Sequence, residues 1–156
     1  MAYDSAADTL KHIQRVAALL GDCATELIRR GQVHDASKLL PPEKDGFDEA
    51  TPKLKTLVYG SEEYRQSLAD LKPALDHHYA ANSHHPEHYP DGVAGMDLFD
   101  LVEMVMDWKA ASERQAGAVL KLDVSFDRFA VEPQLRAIIQ NTADRLGWAT
   151  AAKEGT

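Results

Sequence analysis

One cysteine, Cys23, stands in the 156 residues. A lone thiol excludes an internal disulfide and any cluster of thiolate metal ligands. No stretch approaches eighteen consecutive apolar residues, so no membrane-spanning helix is expected. The first thirty residues lack a charged segment leading into an apolar run, and the expectation is a cytoplasmic protein without membrane contact. Basic residues never run five together, and 17 Lys and Arg face 25 Asp and Glu for a formal charge of −8. That sign argues against a nucleic-acid partner, whose phosphate backbone calls for a basic stripe. Internal repeats, low-complexity linkers and alternating strand patterns of convincing length are also missing.

What remains is helical periodicity, and the expected fold class is all-α. The length and the 44% hydrophobic content suit one domain with its own core. We place that domain over residues 1–150, with a disordered tail at 151–156. Ile13, Val16, Leu19, Leu20, Cys23, Leu27 and Ile28 recur at helical spacing, which predicts a helix from about Asp4 to Arg30, stopped by Gly31. Cys23 on that apolar side reads as core packing. A short second helix is expected from His34 to the residues before Pro41-Pro42. Residues 42–57, broken by Gly46 and Pro52, predict short helices or loop.

Ser61, preceded by Tyr59-Gly60 and followed by two glutamates, starts a helix to about Ala81, kinked or split at Pro73. A polar loop rich in histidine, proline and glycine follows from Asn82 to Gly92. Asp97 caps an apolar helix to about Gln115, and two further helices are expected near Ala118–Phe129 and from Pro133 to Gly147. Phe126, Phe129 and Trp148 fit either a core or the interface of a homodimer.

The chemistry concentrates in His34-Asp35-Ala36-Ser37-Lys38. Adjacent imidazole and carboxylate can bind one divalent cation, and a lysine one turn later returns to the same face, suited to an anionic substrate. His12 lies on or beside the first helix's apolar face. His77, His78, His84, His85 and His88 form a cluster too dense for packing alone. Adjacent helical positions point about 100° apart, so at most one of His77 and His78 can face the dyad while the helix continues. Asp97, Asp100, Glu103 and Asp107 share one arc of their helix. The first three read as a solvent-facing stripe, whereas Asp107, between Met106 and Trp108, needs a counter-charge or a metal. Mixed imidazole and carboxylate without cysteine favours Mn, Fe, Co, Ni, Zn or Mg, as one ion or two, over a structural zinc site.

These residues resemble the HD-domain superfamily of metal-dependent phosphohydrolases. Its signature is an early helix histidine, a His-Asp dyad often continued to lysine, and a late helix aspartate. His12, His34-Asp35 with Lys38, and Asp107 match it over roughly residues 8 to 115. The stretches His34–Lys38, Asp76–His88 and Leu98–Glu103 look more narrowly like a small phage and bacterial family whose function is unknown. The superfamily resemblance implies a helical bundle of HD-domain type in which His12, His34, Asp35 and Asp107 hold a divalent metal. The metal would orient a phosphate oxygen and acidify a water that becomes the nucleophile. Some relatives hold two metals, and His77 or His78 with His84 or His85 fits that variant.

The resulting ligand candidates are His12, His34, Asp35, His77, His85 and Asp107. Asp35, Lys38 and His78 are the catalytic candidates. Lys38, Asn82, His84, His88 and Arg114 are the candidates for holding a phosphorylated substrate. The expected activity is hydrolysis of a small phosphorylated metabolite, foremost a nucleotide. Rival readings are a di-iron oxygenase with the same ligands and a helical module that sequesters a nucleotide without turnover. A histidine-rich DNA nuclease is disfavoured by the charge.

Overall fold

The computed structural model describes residues 4–57, 61–114 and 119–151, without the side chains of Lys55 and Tyr64. Among them are six α-helices: α1 (Ala6–Val33), α2 (Glu43–Thr56), α3 (Glu62–Ala81), α4 (Leu98–Ser112), α5 (Leu122–Arg128) and α6 (Pro133–Arg145). Short 3-10 turns cover Ala36–Leu39, Pro86–His88 and Gly92–Gly95. The only β feature in the described residues is an isolated bridge between Leu120 and Thr150. The fold class is all-α, as the periodicity predicts. No described helix is long and apolar enough to cross a membrane.

The chain divides into two compact units, one ending at His34 and the other beginning at Asp35. The first is α1, a single unbroken helix whose apolar stripe has no buried residue. Cys23 is exposed, against the expectation that it packs in a core.

The second unit holds two apolar clusters. Met104 and Val105 of α4 pack with Leu120, Leu122, Phe126, Val131, Ile139 and Ala143, and Trp108, Phe129 and Trp148 pack against them. Phe126, Phe129 and Trp148 therefore belong to the core. Trp108 stacks on Phe129 with the rings nearly parallel, 5.7 Å between centroids. Each large side chain removed from water here contributes about 1.5–3 kcal/mol. The smaller cluster joins Ala50 of α2 to Leu71 and Ala74 of α3.

That second contact positions the functional residues. Gly46 lets α2 approach α3 closely: a Cβ there would stand 2.7 Å from the Ala74 Cβ. The approach sets Glu43, one turn earlier on α2, against His77 and His78, one turn later on α3. Three expectations are corrected in whole or in part. Residues 43–56 form one helix rather than fragments: Pro42 precedes the first turn and needs no intrahelical donor there, and the helix runs on through Gly46 and Pro52. Pro73 lies inside a continuous α3 and does not split it. The predicted helix from His34 is only the Ala36–Leu39 turn. Tyr59-Gly60 before the predicted helix start, the helix end at Gln115, the start at Ala118 and the tail beyond Ala151 lie outside the described residues.

Candidate metal centre

Asp35 opens the 36–39 turn with a left-handed backbone, φ 56 and ψ 15. Such a conformation is costly for most L-residues and tolerated by aspartate and asparagine. Its two oxygens then face different partners. Oδ2 accepts from the Lys38 ammonium at 2.7 Å. Oδ1 lies 3.3 Å from His78 Nε2 and 3.5 Å from His84 Nε2.

His78 sits in the last turn of α3, buried, and His84 and His85 follow in the loop after it. The Nε2 atoms of His78 and His85 are 2.8 Å apart. One donor atom from each of Asp35, His78, His84 and His85 falls within 4.8 Å of the other three. Donors about 2.1 Å from a shared cation stand roughly 3.0–3.4 Å apart in octahedral or tetrahedral shells. The Asp35 distances lie close to that spacing, and imidazole with carboxylate is the donor chemistry of zinc and its transition-metal neighbours. The residues fit a divalent ion. Burial, with His84 and His78 beside it, pulls His85 down to about 4 against the opposing pull of Asp35 and Asp107. The ring is therefore uncharged at neutral pH, the form in which imidazole ligates metal.

Carboxylates lie behind two of these rings. Glu43, fully buried, has Oε2 at 2.9 Å from His78 Nδ1 and 3.0 Å from the Ser37 hydroxyl, while Oε1 is 2.8 Å from His77 Nδ1. Burial pushes its carboxyl up, but the bonds from His77, Ser37 and His78 together outweigh this and hold it below its ordinary value. Glu103 of α4 places Oε1 at 3.2 Å from His84 Nδ1. Asp107, one turn further along α4, has an oxygen within 4.8 Å of a His84 nitrogen.

The loop carrying His84 and His85 is tied to the start of α4. Asp97 caps that helix through Phe99 and Asp100 backbone nitrogens. Asp100, buried, accepts from the Ser83 hydroxyl and the Tyr89 phenol, each at 2.6 Å. The bond to Asp100, together with burial, raises the Tyr89 phenol. The predicted solvent stripe is thus corrected: Asp97 is exposed, but Asp100 and Glu103 face the histidine loop.

The sequence candidates separate as follows. Asp35 and His85 meet in the cluster, joined by His78, read as catalytic, and His84, read as a substrate contact. His77 is half-exposed and bonded to Glu43 rather than to the cluster, since its neighbour His78 takes the inward direction. His12 is corrected outright as a partner of His34. It stands 22 positions before His34, which caps the same unbroken helix, so the rise of about 1.5 Å per residue separates them by roughly 33 Å. His34 ends α1 and is joined to Asp35 by a single peptide bond.

Lys38 is engaged with Asp35 and lies 5.5 Å over the Phe47 ring, so its ammonium is not open to a substrate alone. The Asn82 amide nitrogen donates to Ser37 Oγ and the His78 carbonyl, both at 2.8 Å, and is used within the protein. His88 is exposed, its Nδ1 donating to the Tyr79 carbonyl. Arg114 lies beyond the end of α4 and is exposed; the helix stops at Ser112, so the two-turn spacing from Asp107 does not hold. Glu43 escaped sequence reasoning because an acid after two prolines looks like an ordinary helix-start charge. The available signal was its place opposite a histidine pair in an α2–α3 hairpin.

The chain belongs to a family of unknown function, DUF5662, whose model matches residues 1–145. No curated protein and no solved structure matches it.

Proposed function

We propose that the protein is a metal-dependent phosphohydrolase acting on a small phosphorylated metabolite, foremost a nucleotide. The observation that carries this reading is the convergence of Asp35, His78, His84 and His85 on one volume inside the second unit. His34 enters by the sequence argument, as the neighbour of Asp35 in an HD-like dyad. Asp107, with an oxygen within 4.8 Å of a His84 nitrogen, enters by the sequence argument as the late helix aspartate of the HD resemblance.

Asp35, His78, His84 and His85 would hold a divalent ion, which when bound would polarise a phosphate oxygen and acidify a water toward neutral pH. The protein's own residues arrange the rest. Asp35 contributes one oxygen to the cluster, and Lys38 holds the other, keeping positive charge beside the place where an anionic group would arrive. The His85 ring, uncharged at neutral pH, adds no positive charge to oppose a cation. A net charge of −8 disfavours polymeric phosphates and suits a small ester whose affinity comes from the centre itself.

The test is turnover of a nucleotide and phosphomonoester panel by the purified chain with Mn, Co or Ni. Activity is expected to vanish in Asp35→Asn and His84→Asn. Undiminished turnover in both variants, or none on any ester with any metal, overturns the proposal.

A further inference from the structure

We infer that Glu43 is a positioning residue that fixes His78 with its proton on Nδ1 and its Nε2 lone pair toward Asp35 Oδ1. Glu103 acts in the same way on His84. The inference rests on the metal reading and adds what orients its ligands.

Every contact of Glu43 points to this role. The carboxylate is fully buried and collects three donors, from Ser37, His77 and His78. An ionised carboxylate only accepts, so the nitrogen facing it must carry hydrogen. His78 Nδ1 is also 3.0 Å from the Asn82 amide nitrogen, which raises the opposite assignment. Asn82 settles it by count. An amide nitrogen has two hydrogens, and two closer acceptors, Ser37 Oγ and the His78 carbonyl, stand at 2.8 Å. Ser37 in turn donates its hydroxyl hydrogen to Glu43. The chain of donors therefore runs Asn82 to Ser37 to Glu43, and His78 Nδ1 completes the carboxylate's set.

The consequence lies on the other side of the ring. With Nδ1 protonated in a neutral imidazole, Nε2 carries a lone pair, directed to within 3.3 Å of Asp35 Oδ1. His84, its Nδ1 facing Glu103, brings Nε2 to 3.5 Å from the same oxygen. Three electron-rich atoms aimed at one another are the arrangement a cation stabilises. His85 then supplies the proton in the short contact between its Nε2 and that of His78, so in the metal-free chain the two rings carry opposite tautomers. Histidine ligands backed by carboxylates gain basicity and a fixed orientation, and losing such a partner weakens metal binding about 10–100-fold.

The experiment uses the full chain labelled with 15N-histidine, metal-free, and reads the tautomer of each ring from two-bond proton–nitrogen correlations. Cobalt(II) is then titrated and followed by its visible absorption. The wild type is expected to show Nδ1–H on His78 and His84. Glu43→Gln is expected to lose the single tautomer at His78 and to bind cobalt about 10–100-fold more weakly, with the same helical circular dichroism. If Glu43→Gln does not fold, Glu103→Gln provides the same readout at His84. Nε2–H on His78 in the wild type, or unchanged tautomer and cobalt affinity in the variant, overturns the inference. A wild type that keeps Nδ1–H on His78 but fails to bind cobalt overturns the metal reading and supports the tautomer assignment.

Discussion

Lys38 reaches back three residues to take Asp35 Oδ2 at 2.7 Å, so that Oδ1 is the oxygen facing His78 and His84. The pair is partly shielded, with 35% and 18% of the two side chains exposed, which places its coupling at about 1 kcal/mol. A double-mutant cycle of Lys38→Met and Asp35→Asn in urea is expected to return a coupling of that size in the metal-free protein. Additive effects would show that the ammonium does not hold the carboxylate.

The anchor of the histidine loop is Asp100. Asp100→Ala is expected to destabilise the protein by about 3 kcal/mol, since the Ser83 and Tyr89 hydroxyls lose a charged acceptor in a largely buried place. Tyr89→Phe is expected to cost about 1.5–3 kcal/mol and to remove a tyrosine titration raised above the ordinary phenol value. Losses under 1 kcal/mol in urea unfolding for both variants would show that the loop is held some other way.

His85 gives the metal-free protein a defined pH response. Its folded value of about 4 lies below the unfolded 6.5, so between those values the unfolded chain binds more protons. Stability is therefore expected to fall as pH drops from about 6.5 to about 4, and this contribution flattens below. His85→Gln is expected to reduce the slope of unfolding free energy against pH in that window. Equal slopes for variant and wild type would mean the ring titrates normally.

His12 separates the two descriptions of the ligand set. From its distance along α1 to His34, His12→Ala is expected to leave the metal content of the purified protein unchanged. His84→Ala is expected to reduce it strongly. Elemental analysis of both variants checks this, and a loss of metal in His12→Ala would restore that histidine to the site.

Helices were legible wherever apolar residues recur at 3.6-residue spacing with a cap, as in Asp97 before α4 and Gly147, at φ 68, after α6. The His-Asp pair and the histidine loop were legible as chemistry. Which ring points inward was not. Sequence spacing allowed only one of His77 and His78, and the choice of His78 depends on the α2–α3 contact at Gly46, a long-range packing fact. Glu43 was hidden for the same reason, because residues 42–57 carry Gly46 and Pro52, which local rules read as breaks between short helices or loop. Asp100 and Glu103 looked like surface acids because a helix pattern shows which residues share a face, not which face is covered.

The positive φ at Asp35 makes the aim of its carboxylate a property of the main chain as much as of the side-chain rotamer. A substitution anywhere in the short connection that relaxes this one residue to ordinary right-handed geometry would swing the oxygen away from the imidazoles with the residue itself intact. Loss of metal in such a variant, with Asp35 unaltered, would be a fault of chain direction alone.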